Sequence, residues 1–388
     1  MSAKKILIAA ETPVLPIDRG NRKRIWNLMK LLEQNGCDID FLYLDTYDDA
    51  DIKETREWIG EDHFYSIKNK KRSFPVFVKR KIRKVMEILH CQIAFKYFSL
   101  DERVSPELDD DLKKFFSEHH YDQVWVVCIY NSRVFLSVPK GTVKVLETQN
   151  VSCVKRQEYE AVGYRNYEFA LKKETEAEGL SRADAVIAIQ NEEEEFFKSI
   201  LPGSVKTLTI GENMPVHEPH VSPSKMVLFL GSTYVINKDG LMNFVENVLP
   251  ILKEKCPEAE VVIAGSICKT IPDSPDYRKM GWVDDLDEIY REARVVINPV
   301  RHGAGLNIKM VEALSQAKPI VSVQKGMRGL KGCGASVTDD PEKFAEEITA
   351  VIRDDQKAMS MSKRAVEFMN EYEESNSRAL KELLEMTV

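Results

Sequence analysis

The chain has 388 residues, 43% of them hydrophobic and 30% charged, with a formal net charge of -7. That composition belongs to a soluble globular protein of two or three domains and excludes extensive disorder and a generally basic nucleic-acid binder, so no nucleic-acid partner is expected. No stretch approaches the roughly 18 consecutive apolar residues that span a bilayer, and the seven scattered cysteines, without C-x-x-C spacing, point to free thiols rather than to a zinc framework.

The opening stretch MSAKKILIAAETP places five apolar residues after its charges, too few for a signal-peptide core, so a cytoplasmic location is expected. KKILIAA (4–10) begins a series of short, β-branched runs: DIDFLYL (38–44), QVWVVCIY (123–130), KVLETQ (144–149), ADAVIAIQ (183–190) and KTLTIGEN (206–213). The runs are continuous rather than alternating, which predicts parallel strands covered on both faces by the helices between them. Residues 66–86 carry nine Lys or Arg and no acid, while Val78, Ile82, Val85 and Leu89 share one helical face. A basic amphipathic helix over 66–90 suits an anionic membrane surface, and equally a solvated face with its apolar side on the sheet. QNEEEEFFKSI (190–200) reads as a helix start, with Asn191 as cap, Glu194 at the reciprocal capping position and acids at the positive end of the dipole.

Pro215, Pro219 and Pro223 interrupt GENMPVHEPHVSPSK (211–225), which reads as an interdomain linker. A second series of apolar runs follows: KMVLFLGS (225–232), AEVVIAGS (259–266), ARVVINPV (293–300), KPIVSV (318–323) and GASV (334–337). The expected architecture is α/β, two doubly wound Rossmann-like domains facing a cleft: 1–212, 213–368, and a C-terminal helix, 369–388, packing back on the first domain. Pro341 marks a further helix start.

RHGAGLNIKMVEALSQAKPIVSV (301–323) is the segment richest in chemistry. Gly303 and Gly305 permit a close backbone approach, and a helix opening near Leu306 presents free N–H groups, an anion site. Leu306, Met310, Ala313 and Ala317 form its apolar face, while Lys309, Glu312 and Gln316 form one polar stripe, expected to face a cleft. The alternative is an ordinary surface pair of Lys309 with Glu312. The segment lacks both G-x-x-x-x-G-K-[ST] and the third glycine of the dinucleotide fingerprint.

GWVDD (281–285), VVINPVRHGAGLNIKMVEALSQAKPIVSV (295–323) and GMRGL (326–330) resemble the donor-binding half of GT-B-fold retaining glycosyltransferases of the group often called family 4. FLGSTYVINKDGL (229–241) and ETPVLPIDRGNRKRIWNLMKLL (11–32) resemble the segments that open the donor domain and the N-terminal domain, and VLETQNVSCVKRQ (145–157) a strand end near the sugar. The resemblance implies a cytoplasmic, metal-independent hexosyltransferase of polysaccharide biosynthesis, peripheral to the inner membrane face. It would use a nucleotide-diphosphate sugar as co-substrate, with no cofactor, and a glycan or lipid-linked acceptor.

Carried over by position, the resemblance gives Glu312 the ribose hydroxyls and directs Lys309 and Lys238 to the diphosphate, with Arg301, His302 and the backbone of Gly303, Ala304, Gly305 and Leu306. It places Val283 at the base and Gly20 in the first loop, near the phosphates. Relatives often carry a second glutamate eight positions before Glu312, where this chain has Ala304, and a histidine where it has Gln149. Glu147, Gln149 and Asn150 are candidate contacts to sugar or acceptor. The D-x-D strings, Asp38/Asp40, Asp49/Asp51 and Asp285/Asp287, are short enough to arise by chance in so acidic a chain, and no metal is expected. Ala304 and Gln149 keep a non-catalytic binding or partner subunit open as a rival reading, and a nucleotide-sugar epimerase shares the fold.

Overall fold

The computed structural model describes residues 3–387 apart from 18, 46–51, 69–77, 79–80, 83–84, 86–99, 103, 105–107 and 164–170. It divides into two compact units. The first comprises Met1–Arg156, Arg165–Asn213 and Asn376–Val388, the second Gln157–Tyr164 and Met214–Ser375. The passage from the second unit back to the first thus falls after Ser375, within one long helix, rather than at 369.

The first unit is built on a parallel seven-stranded sheet in the order β3-β2-β1-β4-β5-β6-β7. Its strands are β1 (Lys5–Ala10), β2 (Asp38–Asp45), β3 (Phe64–Lys68), β4 (Gln123–Val127), β5 (Val143–Glu147), β6 (Ala185–Ala188) and β7 (Lys206–Thr209). The helices are α1 (Gly20–Gln34), α2 (Ile52–Ile59), α3 (Asp109–Glu118), α4 (Ser152–Ala161), whose last residues belong to the second unit, α5 (Lys173–Leu180) and α6 (Asn191–Ile200). The continuous apolar runs are explained by two cores, one on each face. Leu7 and Ala9 enter one, whereas Ile6, Ile8 and Ala10 enter the other, as the two-residue period of a strand requires.

The second unit has a parallel six-stranded sheet in the order β10-β9-β8-β11-β12-β13. The strands are β8 (Met226–Leu230), β9 (Glu260–Ala264), β10 (Arg278–Gly281), β11 (Val295–Asn298), β12 (Ile320–Ser322) and β13 (Ser336–Val337). Its helices are α7 (Val235–Asn247), α8 (Leu249–Lys255), α9 (Leu286–Glu292), α10 (Ile308–Ser315), α11 (Pro341–Arg353) and most of α12 (Asp355–Leu384). Val227 and Phe229 pack into one core and Met226, Leu228 and Leu230 into the other. Pro341 opens α11 as expected, with Asp340 accepting the Lys343 N–H at 3.0 Å.

Two strands were not expected from the sequence, β3 and β10. Both are edge strands with alternating partial burial, and FYSIK and RKMG lack the unbroken apolar character of the inner strands. The capping expectation at α6 also needs correction. The cap position is Gln190, and Glu194 instead pairs with Lys198 at 2.5 Å and accepts from the Thr209 hydroxyl at 2.5 Å. The basic helix expected over 66–90 lies largely outside the described residues. Ser66, Ile67 and Lys68 belong to β3, and beyond them Val78, Lys81, Ile82 and Val85 are described, all four exposed.

Candidate functional site

Both sheets run outward in two directions from their first strand, so the strand order reverses at β1/β4 in the first unit and at β8/β11 in the second. In doubly wound sheets the ligand crevice forms outside the carboxyl ends of the strands at that reversal. The segment leaving β11 at the second reversal is the glycine loop 301–307. Asn298 ends β11 and is buried, its amide donating to the Gly326 carbonyl at 2.9 Å and its Oδ1 accepting the Val300 N–H at 3.3 Å. Gly240 on α7 fits against the same strand end. A Cβ there would stand 2.7 Å from both the Pro299 oxygen and the Val300 Cα, so glycine lets α7 run beside the loop.

In the loop, Gly303 has φ +140° and Gly305 φ +84°, conformations that side chains rarely adopt. Arg301 is exposed and pairs with Asp239 at 3.1 Å, next to the exposed Lys238 on α7. The Gly303 N–H is already engaged by a carboxylate, donating to Glu158 Oε2 at 3.0 Å, while Lys325 Nζ lies 2.5 Å from Glu158 Oε1. His302 Nδ1 is 3.7 Å from Oε2, and Arg328 donates to the Gly303 carbonyl. Burial works to raise the Glu158 pKa, but the hydrogen bonds from Lys325 and Gly303 and the charges of Lys325 and Arg328 prevail, holding it below the ordinary carboxylate value.

The helix after the loop begins at Ile308, with Asn307 at the cap, so Ala304, Leu306 and the glycines precede it. Leu306 packs half-buried against the core rather than opening the helix. Met310, Val311, Ala313 and Leu314 are buried, and Lys309 is half-buried. Glu312 is only 8% exposed and accepts a hydrogen bond from the Tyr290 hydroxyl at 3.1 Å. Tyr290, fully buried on α9, has its own pKa raised by that burial and by the Glu312 charge. The third member of the expected stripe, Gln316, is not part of the same site. Its amide is bound by Asp287 at 2.6 Å and faces His217 at 3.1 Å. Val283 packs half-buried against the core, following Gly281, whose carbonyl accepts from the Gly265 N–H at 2.6 Å.

The remaining sequence candidates lie in the first unit. Gly20 is the exposed first residue of α1. Glu147, at the end of β5, is 0% exposed, and Arg24 holds both its oxygens, at 3.2 and 2.8 Å. Glu147, named from the sequence as a candidate sugar or acceptor contact, thus has its carboxylate engaged inside the fold. Gln149 has φ +64°, its N–H 3.3 Å from Glu147 Oε1, and Asn150 beside it is half-buried. Among the described residues no three His, Cys, Asp or Glu side chains gather as metal ligands, and no helix is long and apolar enough to cross a membrane.

Sequence reasoning missed Tyr290, Glu158, Lys325, Arg328 and Arg24. The only local signal was the basic pair Lys325 and Arg328, three positions apart after β12.

Two doubly wound parallel units in succession define the GT-B class of fold, and solved structures of that class align over nearly the whole chain. TarM aligns with a TM-score of 0.69 at 13% identity, covering 98% of each chain. Anabaena HepE, solved in complex with UDP, aligns with a TM-score of 0.66 at 12% identity, covering 98% of this chain and all of its own. Within that class, residues 224–354 match the family model of glycosyl transferases group 1. An uncharacterised 44.6 kDa protein in the cps region of Klebsiella pneumoniae is 21% identical, covering 89% of this chain and 90% of its own length.

Proposed function

We propose that the protein is a metal-independent glycosyltransferase that moves a hexose from a nucleotide-diphosphate sugar to a glycan or lipid-linked acceptor, with retention at the anomeric carbon. The observation that carries the reading is the anion seat on the 301–307 loop, at the strand-order reversal, with the buried, Tyr290-anchored Glu312 one turn into the following helix. In this reading Glu312 accepts from the ribose hydroxyls and Tyr290 fixes its rotamer. Lys238, Lys309, Arg301 and the loop amides meet the charge that grows on the diphosphate as its bond to the anomeric carbon breaks, so stabilisation needs no proton transfer. The UDP bound to HepE, and the fondaparinux, alpha-GlcNAc-glycerol and UDP bound to a variant of S. aureus TarM, support a nucleotide-sugar donor and a glycan-like acceptor. The cps-region relative supports a place in polysaccharide biosynthesis.

The test is nucleoside diphosphate release from a panel of UDP-, GDP- and ADP-sugars. Release is expected with one base, with Glu312→Gln and Lys309→Ala each reducing kcat/KM about 10- to 100-fold. Binding without release in any acceptor mixture, with neither substitution changing affinity, would favour the partner-subunit reading that Ala304 motivates.

The same proposal places the protein in the cytoplasm against an anionic membrane. Val78, Ile82 and Val85 are exposed, at helical spacing, within a stretch rich in Lys and Arg. Co-sedimentation with phosphatidylcholine vesicles containing phosphatidylglycerol, lost with pure phosphatidylcholine and with Ile82→Glu, is the expected result. Equal recovery in the supernatant in all cases would refute it.

A further inference from the structure

We propose that Glu158 is a resident anion, seated where the 301–307 loop would take a phosphate, and that a nucleoside diphosphate must displace it to bind. The inference rests on the donor-site reading above and adds to it an internal competitor.

Two segments of the second unit meet this one carboxylate: 302–303, through the Gly303 N–H and His302, and 325–328, through Lys325 and the more distant charge of Arg328. A backbone N–H and a lysine are the donor set by which glycine loops hold phosphate oxygens. Glu158 itself stands in the last turn of α4, where the helix dipole disfavours an acid. The dipole alone thus disfavours a carboxylate at this position, whereas the loop supplies donors for one. Arg328 fixes the loop from the other side by donating to the Gly303 carbonyl, so both polar groups of Gly303 are committed while Glu158 is in place.

One N–H well aligned on one acceptor cannot serve a second at the same time. A diphosphate brings more negative charge than a single carboxylate and so wins the seat, whereas a neutral sugar does not. Glu158 thereby acts as a charge filter: the loop stays closed to uncharged saccharides and opens to polyanions. When Glu158 leaves, Lys325 is released to the incoming phosphate.

The test is calorimetric binding of UDP, GDP, ADP and inorganic pyrophosphate to the full chain as wild type, Glu158→Gln, Glu158→Ala and Lys325→Ala. The Gln variant keeps the shape and removes the charge, and the Ala variant empties the seat. Both are expected to bind pyrophosphate and the preferred nucleotide about three- to tenfold more tightly than wild type, and Lys325→Ala to bind more weakly than either. Unchanged affinity in both Glu158 variants overturns the proposal while leaving the donor reading intact. Weaker binding overturns it in favour of a Glu158 that shapes the loop for its ligand. Tighter pyrophosphate binding with no nucleotide bound by any variant supports the resident anion and refutes the donor reading. No binding of any probe to any variant overturns both.

Discussion

Arg24 offers a sharp test of what Glu147 does. It lies buried on α1, its guanidinium holding both Glu147 oxygens, the Ile210 carbonyl at 2.6 Å and the Gly211 carbonyl, with Glu212 Oε1 3.8 Å away. Arg24→Met keeps the stem and leaves two buried acids without their cation. Removing one partner of a buried pair costs about 3–5 kcal/mol. Glu147→Gln is milder, about 1–2 kcal/mol, because Glu212 still faces the guanidinium. Trp26, Trp58 and Trp125 belong to the first unit, while Trp282 is 67% exposed, so urea unfolding followed by tryptophan fluorescence reports mainly on that unit. With a slope of about 3 kcal/mol per molar, Arg24→Met should lower the midpoint by about 1–1.7 M. Burial already raises the Glu212 pKa, with Arg24 opposing it. Without Arg24 the Glu212 carboxyl binds its proton still more tightly in the folded state, so the stability of the variant falls as pH rises through that raised value. The deficit against wild type should thus be larger at pH 8 than at pH 5. A variant midpoint within about 0.2 M of wild type at pH 8, or Glu147→Gln costing more than Arg24→Met, would refute the ion-pair reasoning.

Two further outcomes follow from the second unit. Lys318 is 2% exposed, its ammonium 3.4 and 3.3 Å from the Arg291 and Ala293 carbonyls, and burial, helped by the Arg291 charge, lowers its pKa to about 8. A lysine depressed when folded takes up fewer protons than when unfolded. Wild-type stability should therefore rise by up to about 3 kcal/mol as pH climbs from 8 towards 10.5, and the rise should shrink in Lys318→Met, as read from urea midpoints across that range. Gly265→Ala should destabilise this unit by about 3 kcal/mol or more. Its φ is +93°, and a Cβ would stand 2.2 Å from the Gly231 carbonyl oxygen, which has no side-chain freedom to yield. Calorimetric melting of the variant within about 2 °C of wild type would contradict this.

Most of the fold could be read along the chain. Continuous apolar runs announced inner parallel strands because a strand buried on both faces has no polar positions to alternate, and the prolines at 215, 219 and 223 marked the passage between units. The edge strands β3 and β10 escaped because half-exposed strands carry no such signature. The glycine loop and the Lys309 and Glu312 spacing were equally local, and so were visible.

What tertiary structure alone decided is which side chains meet. Strand order is a property of the packed sheet, so no reading along the chain placed the 301–307 loop at the β8/β11 reversal. Tyr290 beneath Glu312, Glu158 on the Gly303 amide and Arg24 around Glu147 join residues 22, 145 and 123 positions apart. Periodicity reports which face of an element is apolar. It is silent on the partner a buried charge will find, because that depends on distances set only once whole elements have packed.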